Sequence, residues 1–371
     1  MRSWLSVALL PAMTDGIYGR LRDAFADAES ALEADAGALA RAARISTERA
    51  AALVSRGARE AAAAALAAAR AAGHALLEPD DDAYPRLLRE VHEPPRFLSV
   101  LGALDDAEDR RVAIVGSRGT DHRARDATHD LARALAERGY CVVSGLARGV
   151  DTAAHEGALE GGGRTIAVLG TGLDTIYPEE NEDLARRVAV SGALVSPFPS
   201  GTPPLKPNFP IRNKTIAGLC RATVVAQAPV RSGALITAQY ALHANRDVFA
   251  MPGPVGEARY AGSNRLLRDG AHVCLDLGDL VAELEGAAAA LAYWNDGSAA
   301  AGARRGGPAL TADEKGLLAA LTGDPAHVDE IARAAGLAPA ALLPLLLGLE
   351  MKGAVRALPG AHYARAVTLG P

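Results

Sequence analysis

Short apolar runs alternate with longer amphipathic stretches through the middle of the chain. The apolar runs have the length of buried strands; they are Arg111–Val115, Cys141–Ser144, Thr165–Leu169, Ala193–Val195, Ala222–Ala226, Val248–Ala250 and His272–Cys274. Helical patterns lie between most of them, over Ala124–Arg138, Thr152–Glu160, Glu182–Val190, Ala234–Ala244 and Asn264–Arg268. This alternation predicts an α/β fold with a doubly wound, mostly parallel sheet, which would bind ligands beyond the carboxyl ends of its strands.

The alanine-rich stretch before the sheet is helical by pattern. We expect short helices separated by Gly16, Gly37 and Gly57, with the segment Ile45-Ser46-Thr47-Glu48 able to cap the helix that runs into Leu53. Residues 1–75 are therefore predicted to form a small helical domain of the helix-hairpin-helix or SAM type, followed by a sheet domain over 76–286.

The stretch after the sheet divides into a tether and a second small domain. Residues 287–307 are rich in Ala, Gly, Ser and Arg, which is typical of a flexible linker. Helical patterns over Thr311–Leu321, Val328–Ala335 and Pro339–Lys352, followed by a hairpin around Arg356, predict a winged helix over 308–371. Its third helix is nearly all Leu, Ala and Pro, which favours protein contact or weak DNA contact over sequence-specific reading.

The charge balance is uneven along the chain. Its 39 Lys and Arg residues face 44 Asp and Glu residues, for a formal charge of -5. No acidic residue occurs between Asp183 and Asp247, and eight cations stand in or beside that window: Arg186, Arg187, Lys206, Arg212, Lys214, Arg221, Arg231 and Arg246. Cations without acidic neighbours attract phosphates, so the window predicts a polyanion-binding surface. The alternative is a chance cluster of solvated charge.

The cysteines and the N-terminal segment exclude several classes. Cys141, Cys220 and Cys274 form no C-x-x-C pair, so neither a zinc site nor a redox motif is expected. Buried free thiols at Cys141 and Cys274 predict a reducing cytoplasm. The apolar stretch from Trp4 to Met13 is too short to span a bilayer. We expect no membrane segment, no metal and no cofactor.

Glycine-rich loops follow the first three strands of the alternating region. They are Val115-Gly116-Ser117-Arg118-Gly119, Ser144-Gly145-Leu146-Ala147-Arg148-Gly149 and Gly170-Thr171-Gly172. Such loops let backbone N–H groups approach an anion, and Arg118 and Arg148 would add fork-shaped donors. No G-x-G-x-x-G and no G-x-x-x-x-G-K-[ST] motif is present, which argues against NAD binding and against a P-loop ATPase.

Asp151 and His155 are spaced as one face of a helix and could form a general acid–base pair. We favour the alternative, in which Asp151 caps the helix and His155 packs one turn on.

The segment Lys206–Lys214 combines three cations, two amides and one aromatic ring. Its prolines predict a stiff loop in which Phe209 stacks on a base while Arg212 and Lys214 hold phosphates. In the alternative, Phe209 plugs the core and Arg212 forms a surface ion pair, but no carboxylate is near Arg212 in the sequence. Further on, Ser232 opens a helix whose first N–H groups could bind an anion.

These segments together resemble the DNA-processing protein A family (DprA, also called Smf). The resemblance covers about Tyr84 to Leu284. It rests on V-G-S-R at 115–118, S-G-L-A-x-G-V-D-x-x-x-H at 144–155, G-L-D-x-x-Y-P at 172–178, F-P-x-R-N-K-x-I-A-G-L at 209–219, S-G-x-L-I-T at 232–237, Pro252-Gly253 and G-x-N-x-L-L-x-x-G-A at 262–271.

The resemblance implies an extended Rossmann-like domain that binds single-stranded DNA and forms a homodimer. It also implies a role in natural transformation, in which the protein protects incoming strands and helps to load the RecA recombinase. By motif, the DNA site would contain Arg118, Lys206, Asn208, Phe209, Arg212, Asn213 and Lys214, with Arg148 and Ser232 as less securely matched members.

Three positions depart from the family pattern. Pro197 follows Ser196 where an acidic residue is common, and Gln227 stands where Glu is common. Both departures remove negative charge, so we expect a more cationic site with a steeper salt dependence. Lys214 replaces an Arg, which keeps a phosphate contact but loses the bidentate geometry.

Two other functions fit parts of the pattern. A nucleoside-monophosphate phosphoribohydrolase would use a related Rossmann-like fold, but such enzymes carry P-G-G-x-G-T and a nearby catalytic Glu. This chain has Arg231-Ser232-Gly233-Ala234 there, and no Glu over 184–246. A purely structural dimer scaffold leaves the acid-free window unexplained. The sequence therefore favours a DNA-binding protein without catalytic residues.

Overall fold

The computed structural model describes residues 3–104, 108–295, 311–321, 325–351, 354–358 and 360–365. They form two compact units. One contains the described chain up to Thr120 together with Leu131–Cys274, and the other contains Asp121–Asp130 and the described residues from Leu275 onward. Among the described helices, none is long and apolar enough to cross a membrane.

The N-terminal region folds into six short helices, as predicted. They are α1 (Leu5–Ala8), α2 (Asp15–Ala24), α3 (Ala28–Glu33), α4 (Ala36–Ala43), α5 (Thr47–Leu53) and α6 (Arg56–Ala71). The expectation that glycines separate them was wrong, because Gly16, Gly37 and Gly57 each lie in the first turn of a helix. Side-chain caps mark the starts of α2 to α6 instead; they are Thr14, Asp27, Asp35, Ser46 and Ser55. Each cap accepts an N–H that would otherwise lack a partner.

A nine-stranded sheet follows, and it confirms the α/β prediction. Its strands are β1 (Ala75–Leu77), β2 (Leu98–Gly102), β3 (Arg111–Val115), β4 (Cys141–Ser144), β5 (Thr165–Val168), β6 (Ala193–Ser196), β7 (Ala222–Val225), β8 (Asp247–Ala250) and β9 (His272–Val273). Their order is β1-β2-β6-β5-β4-β3-β7-β8-β9. Strands β3 to β9 run parallel, and the β1–β2 and β2–β6 pairs are antiparallel. The two antiparallel strands were not predicted.

Helices connect the strands of this sheet and extend beyond it. They are α7 (Arg86–Arg89), α8 (His122–Glu137), α9 (Val150–Glu160), α10 (Glu182–Ser191), α11 (Asn208–Gly218), α12 (Gly233–His243), α13 (Ala261–Arg268), α14 (Leu277–Leu284) and α15 (Ala287–Asn295). Two of them correct the sequence interpretation. α11 occupies the segment predicted as a stiff loop, and α15 occupies the start of the predicted tether, whose remainder from residue 296 lies outside the described residues.

The strand order creates a crevice at one point of the sheet. From β3 the chain moves to β4, β5 and β6 on one side and then returns to β7 on the other side of β3. The loops that leave β3 and β7 therefore diverge, which opens a crevice at the carboxyl ends of these strands. The backbone N–H of Ser117 donates to the carbonyl of Gln227 at 2.8 Å and joins the two loops at its floor.

Both faces of the central strands are covered, as expected for a parallel sheet. Every residue of β3, β4, β5, β6 and β7 is buried. Helices α11 and α12 pack on one face through Ile216, Ala217 and Ala238, and α10 packs on the other through Leu184 and Val188. All three cysteines are free and buried, which confirms the prediction for Cys141 and Cys274.

The C-terminal part has the winged-helix arrangement that the sequence predicted. It contains α16 (Ala312–Ala320), α17 (Val328–Ala335), α18 (Pro339–Met351) and a three-stranded sheet of β10 (Ala326–His327), β11 (Val355–Leu358) and β12 (His362–Arg365). Gly336 ends α17 in the left-handed conformation, with φ of 65°. Lys352 and Pro359, which belonged to the predicted third helix and hairpin, lie outside the described residues.

Candidate functional site

Helix α11 carries the aromatic and polar side chains of the predicted site. The segment is helical despite Pro210 because that proline lies in the first turn, where its missing N–H removes no hydrogen bond of the helix. Phe209 and Asn213 are four residues apart and lie on one face of the helix, so both reach the crevice. Helical spacing, rather than proline stiffness, thus sets the geometry of this segment.

Arg212 is buried beneath this face and is only 4% exposed. Its Nη1 donates to the carbonyl of Val168 at 2.9 Å and to the carbonyl of Gly145. A Cβ at position 145 would overlap the Arg212 guanidinium, so a larger residue there would displace this side chain. Burial lowers the pKa of Arg212, the Asp151 carboxylate opposes that effect, and Arg118 adds to it. Arg212 therefore anchors α11 to the loop that follows β4 and to the end of β5.

Asp151 is the carboxylate whose charge acts on Arg212. Arg212 forms no ion pair among the described residues, so the surface ion pair of the alternative interpretation is not present. Asp151, 61 positions earlier in the chain on α9, acts on Arg212 through its charge. Asp151 Oδ2 also accepts the N–H groups of Gly145 and Ala147, at 3.1 and 3.3 Å. Burial raises the pKa of Asp151, and Arg212 is the largest opposing influence.

The predicted helix cap at Asp151 was also wrong. Gly149 occupies the N-cap position of α9, without a side-chain cap, and Asp151 lies inside the first turn. His155 is fully buried, and its Nδ1 lies 2.7 Å from Thr165 Oγ1. Burial lowers the pKa of His155 to about 3, so the ring is neutral at physiological pH. His155 lines neither of the two pockets described below, which favours the packing interpretation over acid–base catalysis.

The ring of Phe209 lies between cationic and aromatic neighbours. The guanidinium carbon of Arg118 lies 4.9 Å from the ring centroid and that of Arg212 lies 5.9 Å from it, while the ring of Tyr177 is 6.0 Å away, centroid to centroid. These four residues, with Arg148 and Pro178, line a narrow cavity that we call the aromatic pocket. Phe209 is half-buried, so it is not the core plug of the alternative interpretation.

A larger cavity lies directly beside the aromatic pocket, at the crevice between the β3 and β7 loops. It has a volume of about 320 Å³ and shares Arg118, Phe209 and Arg212 with the aromatic pocket. We call it the cationic crevice; the polar side chains that line it are Ser117, Arg118, Asp151, Arg212, Asn213, Arg231, Ser232 and Thr237. Within the described chain, Arg118 and Arg231 are exposed and form no ion pair. Their charge remains available to an anion.

Two further predicted residues hold the walls of this crevice. Asn213 Nδ2 donates to the carbonyl of Gly233 at 3.2 Å and ties α11 to the start of α12. Ser232 caps α12, since its Oγ accepts the N–H of Ala234 at 3.2 Å. Ser232 is therefore the N-cap of α12, and it lies where the helix meets the crevice.

The structure does not bring four of the nine predicted residues to the crevice. Arg148 lines the aromatic pocket, but it forms a bidentate salt bridge to Glu180, with both bonds 2.7 Å long, which raises the pKa of Arg148. Asn208 is buried and donates to the carbonyls of Gly170 and Pro203. Lys206 is exposed just before α11, and Lys214 Nζ donates to the carbonyl of Glu93. Burial lowers the pKa of Lys214.

Some cations of the segment between Asp183 and Asp247 contact acidic residues in the folded protein. Arg246 pairs with Glu90 at 2.8 Å, and Arg186 pairs with Asp183 at 2.7 Å on its own helix. The prediction that the cations of the window stay unneutralised was wrong for these two, because folding brings carboxylates from outside the window. At the crevice, Arg118 and Arg231 have no acidic partner among the described residues.

Several lining residues were absent from the predicted site. Arg231 was counted among the cations, and Tyr177 stood in a matched motif, but neither was chosen. Asp151 and Thr237 also stood in matched motifs and were not chosen, and the structure places both at the crevice.

Gln227, one of the departures from the family pattern, lies beneath the crevice and is fully buried. We expect Gln227→Glu to weaken anion binding and to flatten its salt dependence by adding negative charge. Burial would raise the pKa of the new carboxyl, so the effect should strengthen with rising pH. Titrations with a DNA strand at several salt concentrations and two pH values test this, and an unchanged affinity and salt slope would contradict it.

Comparisons with known proteins agree with this architecture. The model of the family described as DNA recombination-mediator protein A matches residues 75–285, and the model of the DprA winged helix domain matches residues 301–361. Protein Smf of Synechocystis sp. is 41% identical over 319 residues, which cover 78% of this chain and 80% of that protein. DNA processing protein DprA of Streptococcus pneumoniae is 42% identical over 205 residues, covering 55% of this chain and 72% of that protein.

Two solved structures are similar to this chain. The X-ray structure of DNA processing protein A from S. pneumoniae has a TM-score of 0.56 and 32% identity, and the match covers 73% of this chain and 98% of that one. DNA processing protein A from Helicobacter pylori, described for its unique single-stranded DNA binding mode, has a TM-score of 0.51 and 30% identity. That match covers 57% of this chain and 95% of the other.

Proposed function

The chain belongs to the DNA recombination-mediator protein A family, and from that premise we propose that it binds single-stranded DNA at the aromatic pocket and the cationic crevice. The observation that carries the proposal is the arrangement around Phe209. Its half-buried ring borders a cavity of about 320 Å³ whose rim holds the unpaired cations Arg118 and Arg231. The single-stranded DNA binding described for the H. pylori protein supports the same ligand.

The physical logic is that of sequence-tolerant binding. Arginines that lack acidic partners replace the counterions of phosphates, and an aromatic ring stacks on any base. Arg118 contributes to the binding of phosphates and to the stacking site, because it lies over the Phe209 ring and lines the crevice. In this proposal Arg118, Arg231 and Phe209 contact the strand, with Asn213 and Ser232 at the crevice wall and Lys206 on the strand's approach. Arg212 positions Phe209 from beneath.

The same proposal gives the chain the role of a recombination mediator that acts without catalysis. A mediator holds a strand against competitors and then releases it, and binding through phosphates and limited stacking allows both. We include in the proposal the protection of incoming strands in natural transformation, the loading of RecA and a homodimer. A dimer would carry two sites and gain avidity on a long strand. We also propose that the chain has three domains: a helical domain over 1–75, a sheet domain over 76–286 and a winged helix over 308–371.

A phosphoribohydrolase activity is the alternative that the fold leaves open. A hydrolase needs a carboxylate that is free to act on its substrate. Asp151 is the one acid among the described lining residues of the crevice, and it is engaged with Arg212 and with backbone N–H groups. Incubation with AMP, followed by detection of released adenine, tests this alternative. Sustained turnover that Asp151→Asn abolishes would favour the enzyme.

Fluorescence anisotropy with a labelled oligonucleotide tests the binding proposal. We expect tight binding of a single strand and much weaker binding of the matching duplex, because a paired base cannot stack on Phe209. AMP should compete only weakly, since it offers one phosphate and one base. Equal affinity for strand and duplex would contradict the site.

The salt dependence of this binding identifies the phosphate contacts. We expect Arg118→Ala and Arg231→Ala each to reduce the slope of log K against log salt by about one, because each removes one phosphate contact. Arg187→Ala is the matched control, since Arg187 is an exposed arginine on α10 that lines neither pocket. A slope that changes as much in Arg187→Ala as in Arg231→Ala would show that only the total charge matters.

A further inference from the structure

The cationic crevice ends at the N-terminus of α12, a helix of eleven residues. Ser232 Oγ accepts the N–H of Ala234, whereas the N–H of Gly233 has no acceptor among the described residues. The first N–H groups of a helix and its dipole favour a negative group at this place. Most helices have free N–H groups and a dipole at their N-terminus, so these properties alone do not indicate a bound anion.

Two buried donors at the same cavity indicate a ligand independently of the helix N-terminus. Thr237 is 1% exposed and Arg212 is 4% exposed, and both line the crevice. Thr237 Oγ1 and Arg212 Nε have no hydrogen-bond partner within the described chain. Thr237 lies one turn after Gly233, so both face the same side of α12. A buried donor without an acceptor is costly, and the oxygens of a bound anion would relieve that cost.

The charge of the crevice matches a doubly charged group. Arg118 and Arg231 have no acidic partner in the described residues, and the carboxylate of Asp151 is balanced by Arg212. The rim thus carries two uncompensated positive charges, to which the dipole of α12 adds. A phosphate monoester carries about -1.5 to -2 charges at neutral pH and three terminal oxygens, whereas a phosphodiester carries one charge and two such oxygens.

The sugars beside the phosphate also favour a phosphate monoester over a phosphodiester. An internal phosphate of a strand is flanked by a sugar on each side, whereas Thr237, which lines the crevice, is only 1% exposed. A terminal phosphate has a sugar on one side only and can enter head-on.

We propose that the base of the cationic crevice binds a phosphate monoester, the terminal phosphate of a nucleotide, through the N-terminus of α12, Thr237 and Arg231. The inference rests on the proposed DNA binding, because the nucleotide that follows the phosphate would lie against Phe209. A phosphorylated strand end and a free mononucleotide offer the same group, and the experiment distinguishes them.

Three otherwise identical oligonucleotides with an internal fluorophore test the proposal: one with a 5′-phosphate, one with a 3′-phosphate and one with hydroxyls at both ends. We expect one phosphorylated strand to bind roughly tenfold more tightly than the unphosphorylated strand, as charge-assisted hydrogen bonds predict. Thr237→Val should remove this preference, because it deletes the hydroxyl that would bind the terminal phosphate. Thr215→Val is the matched control, because Thr215 is also a buried, unpartnered threonine but does not line the crevice.

Calorimetric titration with deoxythymidine monophosphate and with deoxythymidine identifies the source of the phosphate. Binding of the monophosphate alone, at a strength comparable to that of the phosphorylated end, assigns the site to free nucleotides; a preference seen only with strands assigns it to strand ends. If no end preference appears and the monophosphate binds no better than the nucleoside, the proposal is overturned. In that event, tight binding of the unphosphorylated strand would leave the proposed function intact.

Discussion

Phe209→Ala is expected to weaken the binding of single-stranded DNA by roughly five- to hundredfold. Stacking of a base on an aromatic side chain contributes about 1–3 kcal/mol, and the half-buried Phe209 ring borders both the aromatic pocket and the cationic crevice. Its removal also frees Arg118 from the ring that lies 4.9 Å from its guanidinium. Anisotropy titrations of parent and variant at one salt concentration measure the effect.

The affinities of two further Phe209 variants, together with the salt slope, distinguish a loss of base stacking from a general loss of structure. Phe209→Tyr keeps the ring and should retain most of the affinity, whereas Phe209→Leu keeps apolar volume and should lose nearly as much as Phe209→Ala. The salt slope should stay close to that of the parent in all three variants, because no cation is removed. A Phe209→Ala variant that is folded and binds like the parent would show that no base lies on this ring.

Arg212→Ala is expected to destabilise the sheet unit by roughly 3–5 kcal/mol, the cost of leaving a buried charge without compensation. The carboxylate of Asp151 would lose its compensating cation, and the carbonyls of Gly145 and Val168 would lose their donor. Urea unfolding followed by circular dichroism measures this. DNA binding should fall as well, because Arg212 positions the α11 face that carries Phe209.

The pH dependence gives this prediction a sign. The pKa of Asp151 in the folded protein is raised above 3.8, so the contribution of this group to stability is present below that pH and is lost as the pH rises through its folded pKa. Arg212 holds this rise in check. In Arg212→Ala the pKa of Asp151 should rise further, and the stability deficit against the parent should widen as the pH increases.

The doubly substituted Arg212→Met, Asp151→Asn variant is the control for the pair. Because it removes both charges and keeps similar volumes, it should be more stable than Arg212→Met alone, and its deficit should vary little with pH. If the stability losses of Arg212→Met and Asp151→Asn add up to the loss of the double variant, Arg212 and Asp151 are not coupled.

The sheet was predictable because its strands are buried on both sides. Such strands appear as continuous apolar runs, and β3 and β4 have the predicted bounds. Strands β1 and β2 add antiparallel edges outside the alternating region, and no strand–helix alternation announces them. The segment of α11 was mistaken for a loop because its two prolines suggested a break, although a proline in a first turn is compatible with a helix.

The site was predictable in its motifs but not in its pairings. Sequence proximity suggested that the cations between Asp183 and Asp247 would stay free, but Glu90 neutralises Arg246 from more than 150 positions away. Arg212 appeared to be a phosphate ligand for the same reason, and its burial against Asp151 depends on how α9 and α11 pack. Local composition identifies which residue types are present, whereas the fold decides which charges remain uncompensated.

Photocrosslinking with a strand that contains 5-iodouracil tests the location of DNA binding most directly. After irradiation and digestion, mass spectrometry identifies the residue joined to the base. We predict a crosslink at Phe209 or Tyr177, which duplex DNA does not produce and an excess of unlabelled strand suppresses. Crosslinks confined to the winged helix, or spread over surfaces away from the cationic crevice, would contradict it.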